Sequence, residues 1–386
     1  MYPGQGSQVP GMGSPWKDHP SWELVAEASE VADRDVADLL LNADADTLKL
    51  TRNSQLTTFV LSMVAFDAIT RVGVEAAGHA GHSLGEYSAL TAAGVLDFED
   101  AVTLVSERGD AMQAAADDQD GTMAAILGLD DDRVDIACAR VAGDVWVANY
   151  NAPGQVVIAG APVAVEEAGA VAKELGAKRS MPLPVGGAFH TPFMSPARDR
   201  LRKAIDQTEF RDADTFVVAN VDGSVHSASG DWKGLLTAQL CSPVRWRHSL
   251  HTLETDGATT FIEVGPGSVL TGLVKRTLKD VSRITINTPD DVDELLESIS
   301  SVSSPAPAHE GEHLFATERL IVSPAAGVFT PDHDVEVGEA ITRGSALGTV
   351  GEVEVRSAFA GELQGFLALP GERVTARQPI AWLRQP

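Results

Sequence analysis

The sequence predicts an α/β protein that carries a smaller inserted unit and ends in a separate all-β unit. Three observations point there. Helix-period and strand-like apolar patterns alternate from about Trp22 to Asp290. Between residues 120 and 190 the rhythm tightens into short strands and helices in the order βαββαβ. From about residue 314 to 386 the pattern becomes short strands with an internal repeat. A chain of 386 residues has room for two or three such units.

Residues 1–14 form a glycine-rich opening, Pro3-Gly4-Gln5-Gly6-Ser7-Gln8 followed by Gly11 and Gly13. Helical periodicity runs from about Trp22 to Leu41 and again from Ser54 to Val72, where Leu56, Phe59, Val60, Met63 and Val64 share a face. The segment 76–80, poor in β-branched residues, leads as a weak strand into Gly81-His82-Ser83-Leu84-Gly85-Glu86, and a helix follows to Ala93. Asp97 and Asp100 read as the N-cap and a first-turn acid of a helix reaching about Ala116. Strands then fall at Met123–Leu129, Val145–Asn149, Gln155–Ala159 and Arg179–Leu183, with helices at Asp132–Val141 and Val163–Leu175, the order of a ferredoxin-like unit.

The larger pattern resumes with a helix at Ala197–Ile205, a strand at Phe216–Asn220, a helix at Trp232–Leu240 and a strand at Thr260–Val264. Gly265-Pro266-Gly267 and last turns near Leu270–Leu278 follow. The expected boundaries are a core of residues 1–119 and 191–290, an insertion at 120–190, a linker at 291–313 rich in Ser, Pro and Ala, and a β unit at 314–386. In the β unit, Val322-Ser323-Pro324-Ala325-Ala326-Gly327-Val328 is echoed by Arg356-Ser357-Ala358-Phe359-Ala360-Gly361-Glu362-Leu363. Val337-Gly338-Glu339 is echoed by Pro370-Gly371-Glu372. The repeat predicts a two-fold β-sandwich burying Val322, Val328, Val335, Ile341, Leu347, Val355, Leu363, Val374 and Ile380.

Composition narrows the function. Hydrophobic residues at 44% and charged residues at 22% describe an ordinary globular protein. No apolar run approaches the roughly 18 residues a membrane span needs, and the N-terminus lacks the basic-then-apolar order of a secretory signal. Cys138 and Cys241 stand far apart without CxxC spacing, which suggests neither a disulfide framework nor a zinc site and fits a reducing cytoplasm. A net charge of −26 argues against general binding to nucleic acid or anionic membranes. An acidic partner would need a basic island, either Arg245-Trp246-Arg247-His248 or Lys275-Arg276 with Lys279, unless these are ordinary solvated charges.

Gly81-His82-Ser83-Leu84-Gly85 matches G-x-S-x-G, in which a serine on a sharp strand-to-helix turn exposes its hydroxyl and needs small neighbours. The N–H of Leu84 then faces a developing oxyanion, reinforced by the positive end of the following helix. A serine nucleophile needs a base. His190 follows a Gly-Gly loop and precedes Thr191-Pro192, where it can project from a rim, although alone it reads as a turn residue bonded to backbone.

The ordered set Gln5-Gly6-Ser7-Gln8, Gly81-His82-Ser83-Leu84-Gly85-Glu86, Ala188-Phe189-His190 and Glu263-Val264-Gly265-Pro266-Gly267 resembles the malonyl-coenzyme A:acyl-carrier-protein transacylases of type II fatty-acid synthesis, over about residues 1–285. The resemblance implies the acyltransferase fold, a hydrolase-like core around a parallel sheet with a ferredoxin-like insertion. It implies Ser83 as nucleophile, His190 as base and acid, and Gln5 with the Leu84 N–H at the oxyanion. It matches Arg108 to the arginine that grips the malonyl carboxylate, a role suited to a planar guanidinium; read alone, Arg108 is a surface residue of an amphipathic helix. Gln55 and Asn151 match polar pocket positions, and Phe189 matches the malonyl-selecting form of its loop. The base is expected to be oriented by backbone carbonyls near Ser242-Pro243-Val244-Arg245, so neither Glu86 nor Asp97 is assigned as a third acid.

The implied chemistry is a ping-pong transfer between malonyl-coenzyme A and acyl carrier protein, with no metal or bound cofactor. Docking of the carrier is expected at Arg245, Arg247, Lys275, Arg276 and Lys279. The family's buried strand before the Pro-Gly-Gln-Gly loop has no room at Met1-Tyr2, so either the true start lies upstream or the sheet lacks a strand. The C-terminal repeat resembles biotinyl/lipoyl-type barrel-sandwich domains. No lysine follows Lys279, so the hairpin near Gly351-Glu352-Val353-Glu354 offers no amine for a cofactor, and a docking or packing module is expected. Two rivals stand beside this reading. A thioester hydrolase of α/β-hydrolase type lacks its triad acid between Ser83 and the histidine, and a non-catalytic scaffold leaves Ser83, His190 and Arg108 unexplained.

Overall fold

The central sheet of the first unit is stitched together by the first two residues of the chain. In the computed structural model, which describes residues 1–302 and 318–384 apart from 333, 334, 336, 352, 358 and 377, the chain divides into two units, Met1–Ser304 and Pro305–Pro386. In the first, His79–Ala80 pairs in parallel with Val217–Val218, and Thr260–Val264 with Ser282–Ile286. Met1 and Tyr2 lie between these pairs. The Tyr2 N–H donates to the Ala80 oxygen and His82 N–H to the Tyr2 oxygen, both at 3.0 Å, while Val264 N–H donates to the Met1 oxygen at 2.9 Å. Where the sequence offered no room for a strand, two residues fill the gap because each of their backbone groups finds a partner on either side.

The helix Thr51–Arg71 is buried almost all round, wider than the single apolar face its periodicity predicts, and Phe98–Asp118 packs against it. The helical stretch expected over 22–41 is two helices, Glu23–Ala32 and Val36–Leu41, broken where Asp33 adopts φ 48°. Asp97 stands at the N-cap position of Phe98–Asp118, yet its carboxylate makes no cap; it takes Arg211 instead, at 2.7 and 2.5 Å.

The inserted unit has strands Thr122–Leu127, Val145–Ala152, Gln155–Gly160 and Arg179–Pro182 with helices Asp131–Ala139 and Pro162–Glu174, in the expected βαββαβ order. All its strand pairings are antiparallel, the second, third, first and fourth strands lying side by side. Alternation divides its first strand between two cores: Ala124 and Ile126 pack with the helices of the insertion, Met123 and Ala125 with the main core.

Elements with no counterpart in the sequence analysis include the helices Ala45–Lys49, Trp246–Thr255 and Pro289–Val302 and the strands Val225–His226 and Ser282–Ile286. Residues 291–302, expected as linker, belong to a helix whose Val292 and Leu295 join the main core. Its entry is held by the Asp291 carboxylate, which accepts from the Asn287 and Thr288 N–H groups at 2.7 and 2.8 Å. The rest of that expected linker, 303–313, lies outside the described residues. Among the described residues no helix is long and apolar enough to cross a membrane.

Among its described residues the second unit has two four-stranded sheets, in which every strand pairing is antiparallel. Its repeat is written in hydrogen bonds. Ser323 Oγ donates to the Ala325 oxygen and Ser357 Oγ to the Phe359 oxygen, each at 2.6 Å. Gly338 N–H reaches the Leu363 oxygen at 2.6 Å, and its counterpart Gly371 N–H reaches Phe329 at 2.8 Å. Both glycines have positive φ, 95° and 84°, which explains why the two Gly-Glu turns recur. Of the expected core, Ile341, Leu347, Val355, Leu363, Val374 and Ile380 are buried and Val335 is partly so. Val322 and Val328 are exposed instead; their neighbours Ile321 and Phe329 point inward, a one-residue difference in strand phase.

Candidate active site

Ser83 sits between the strand His79–Ala80 and the helix Gly85–Ala92 with φ 53°, a left-handed conformation that a non-glycine residue adopts only when its surroundings impose it. The imposition is visible. Ser83 N–H donates to Asn220 Oδ1 at 2.7 Å, and Asn220 Nδ2 donates to the Gly81 oxygen at 2.7 Å. A Cβ on Gly81 would lie 1.8 Å from the Gly85 oxygen, and one on Gly85 2.1 Å from the Tyr2 oxygen, so no side chain fits at either end of the elbow.

His190, with φ 61°, is brought in from a loop 107 residues away, and its Nε2 lies 2.7 Å from Ser83 Oγ. Its Nδ1 lies 2.9 Å from the Gln239 carbonyl oxygen. A carbonyl only accepts, so Nδ1 carries the proton and Nε2 presents a lone pair to the serine hydroxyl. Burial, and then the nearby Arg108, push the imidazole down to about 3, which keeps it neutral near pH 7. The orienting carbonyl at this distance belongs to Gln239, the last residue of the helix Ser229–Gln239, and the backbone of Ser242, in the segment where the orienting groups were expected, adds a second hydrogen bond to the imidazole. Helix ends leave carbonyls without intrahelical donors, with partial negative charge to spare.

Arg108 is 1% exposed and no surface residue. Its Nη1 donates to Gln55 Oε1 at 2.6 Å, and its Nη2 to Gln239 Oε1 at 2.9 Å and to Ser83 Oγ at 3.1 Å. The guanidinium lies 5.6 Å from the Tyr87 ring centre. Behind it the buried Glu86 carboxylate accepts from Asn220 N–H at 2.7 Å and from Gln239 Nε2 at 2.5 Å; burial lifts its pKa to about 7.

Ser83 and His190 open onto a cavity of about 500 Å³, which Gln5, Asn151 and Phe189 also line. Asn151 Oδ1 is 2.8 Å from His82 Nε2, and Phe189 is buried. Leu84 occupies the N-cap of the elbow helix, and among the described residues no acceptor takes its N–H. Of the two basic islands, the first is largely committed inside the fold. Arg245 Nε donates to the Val221 oxygen at 2.9 Å, and Arg247 is ion-paired with Asp131. Lys275, Arg276 and Lys279 are exposed, Arg276 also reaching Gln155. The sequence reading passed over Gln239 and Asn220. The one available signal was a glutamine on the helix face shared with the buried Trp232 and Leu236.

A serine on a strained elbow, a neutral histidine without a carboxylate partner and a buried arginine beside the hydroxyl describe a site for transfer of an acidic acyl group. Residues 1–295 match the acyl transferase domain model, and the chain belongs to that family. The malonyl CoA-acyl carrier protein transacylase of Bacillus subtilis (strain 168) is 40% identical over 304 residues, covering 78% of this chain and 96% of that protein. The protein of the same description from Escherichia coli (strain K12) is 41% identical over 302 residues, 77% of this chain and 98% of the relative. Among solved structures, an acyl-carrier-protein S-malonyltransferase from Burkholderia pseudomallei superposes with TM-score 0.74 at 40% identity, over 77% of this chain and 98% of the other. A malonyl-transacylase solved in complex with a type II PKS acyl-carrier protein gives TM-score 0.74 at 38% identity, over 77% and 98%.

Proposed function

We propose that the protein transfers malonyl from malonyl-coenzyme A to the phosphopantetheine thiol of an acyl carrier protein through an ester on Ser83. The observation that carries this is the position of one hydroxyl, 2.7 Å from a neutral imidazole and 3.1 Å from a buried guanidinium. In the first half-reaction Ser83 Oγ bonds to the thioester carbon as its proton passes to His190 Nε2. The Leu84 N–H and Gln5 hold the oxyanion, the C–S bond breaks, and His190 returns the proton to the departing coenzyme A thiolate. With Ser83 esterified, the Arg108 N–H beside it turns to the malonyl carboxylate, while Gln55 holds the other nitrogen and Phe189 limits room for a branched acyl group. The carrier thiol then gives its proton to His190 and its sulfur bonds to the ester carbon; the C–O bond breaks, and His190 returns the proton to Ser83 Oγ. The malonyl transacylase names of the relatives support the same reaction; the two unpaired cysteines, Cys138 and Cys241, support placing it in a reducing cytoplasm.

We place carrier docking at the helix Val269–Thr277. Val269, Leu270 and Leu273 line the cavity, and Lys275 and Arg276 on the same helix face solvent, with Lys279 just beyond. For a protein of net charge −26 to bind an acidic carrier, a local basic patch on a helix that lines the cavity supplies the complementary charge.

Intact-mass measurement tests the reaction. Mixing with malonyl-coenzyme A is expected to add one malonyl group to the enzyme, and holo carrier protein is expected to remove it with the carrier gaining the same mass. Release of free malonate with no mass gain on the carrier would favour the thioester hydrolase.

The C-terminal unit is, in our reading, a barrel-sandwich of biotinyl/lipoyl type used for docking or packing. Its repeated serine turns and self-contained core support this. Every residue assigned to chemistry lies before it. Removal of residues 305–386 is expected to leave malonyl loading of Ser83 within about two-fold of the full chain, the behaviour of a domain with its own core. A truncated protein that aggregates or fails to form the acyl-serine would make the unit an integral part of the enzyme.

A further inference from the structure

The mechanism uses no carboxylate, yet the site encloses one. Glu86 is fully buried, one turn from the nucleophile, and makes two hydrogen bonds through two different oxygens. Oε1 takes the N–H of Asn220, the residue whose side chain also holds Ser83 N–H and the Gly81 oxygen. Oε2 takes Gln239 Nε2, which also donates to the Ser83 oxygen at 2.8 Å. The other end of that amide, Oε1, accepts from Arg108 Nη2.

Donor and acceptor chemistry dictates this order. A guanidinium only donates and an ionised carboxylate only accepts, so the side chain between them must accept at one end and donate at the other. Glutamine does so in one orientation alone. Glu86, together with the Ser83 carbonyl oxygen, therefore determines which way the Gln239 amide faces, and that amide together with Gln55 Oε1 fixes both terminal nitrogens of Arg108. We propose that Glu86, acting through Gln239, is the positioning residue that holds Arg108 in the orientation that reads an acyl carboxylate. This rests on the assignment of Arg108 to the malonyl carboxylate.

The same geometry makes the preference sensitive to pH. The charged and titratable groups around Glu86 are Arg108 across the Gln239 amide, Tyr87 next along its helix, and Asp222 from the turn after Val217–Val218. Burial has lifted Glu86 to about 7, while the neighbouring His190 stays neutral down to about 3. A protonated Glu86 becomes a donor, competes with Gln239 Nε2 and releases the amide to turn.

The test is Glu86→Gln in the full-length enzyme, with malonyl and acetyl loading of Ser83 followed by intact mass between pH 5.5 and 8.5. Malonyl loading is expected to fall by about 10- to 100-fold at pH 8, the loss of one hydrogen bond to a charged group, and acetyl loading far less. In the wild type the malonyl-to-acetyl ratio is expected to fall as pH drops through about 7; in Glu86→Gln it should be low and flat. A variant that keeps the wild-type ratio and its pH profile overturns the proposal. Gln239→Met, which keeps the backbone carbonyl under His190 and removes the amide's hydrogen bonds to Arg108, Glu86 and the Ser83 oxygen, should lose the ratio in the same way and carries the test if Glu86→Gln fails to fold. An unchanged ratio there is equally fatal. Failure of the underlying assignment looks different: Arg108→Ala would then lower malonyl and acetyl loading alike.

Discussion

Ser83→Ala is expected to abolish the malonyl-enzyme adduct and to lower transfer to the carrier by about 10⁴-fold or more, the scale on which removal of a covalent nucleophile acts. The fold should persist. Alanine adds no atoms, and the left-handed turn is held by Asn220 and by the glycines on either side, none of which depends on the hydroxyl. Arg108 loses one hydrogen-bond partner but keeps Gln55 and Gln239. Melting temperature near wild type together with no mass gain after malonyl-coenzyme A is the expected pair of results. A malonyl adduct that survives the substitution would put the nucleophile elsewhere.

Arg108→Ala should lower malonyl loading far more than acetyl loading, because only malonyl carries a carboxylate for the guanidinium to grip. Truncating one partner of a buried, hydrogen-bonded charge pair costs about 2–5 kcal/mol, or roughly thirty- to several-thousand-fold in malonyl loading. Some of that cost falls on stability, since the amide oxygens of Gln55 and Gln239 lose their donor. The malonyl-to-acetyl ratio separates the two effects, as a general loosening of the site lowers both substrates. Arg108→Lys is expected to recover little of the ratio, because a flexible ammonium lacks the planar fork that lets Gln55 and Gln239 hold the charge in place beside the carboxylate. Equal losses for both acyl groups would make Arg108 a structural residue.

What the sequence determined by itself is what short-range rules govern. The elbow around Ser83 is legible because a strained turn with close backbone approach tolerates glycine alone at Gly81 and Gly85. The insertion is legible because period-two and helical patterns alternate over a few residues, and the β unit because Ser323 and Ser357, Gly338 and Gly371 repeat the same turn chemistry. Tertiary structure alone decided how distant residues share one site. Gln239 reaches Ser83 across 156 positions and Asn220 across 137, and neither carries a local pattern to announce it. Arg108 is indistinguishable in sequence from a solvated arginine, since its burial depends on partners contributed by the helices Thr51–Arg71 and Ser229–Gln239. The same holds for Met1 and Tyr2, too few to signal a strand yet paired on both sides, and for Val322 and Val328, whose exposure follows from a strand phase set by the facing sheet. Hydrophobic pattern and turn chemistry act within a few residues of the chain; hydrogen-bond partners and burial are properties of positions in space, which no single stretch of sequence contains.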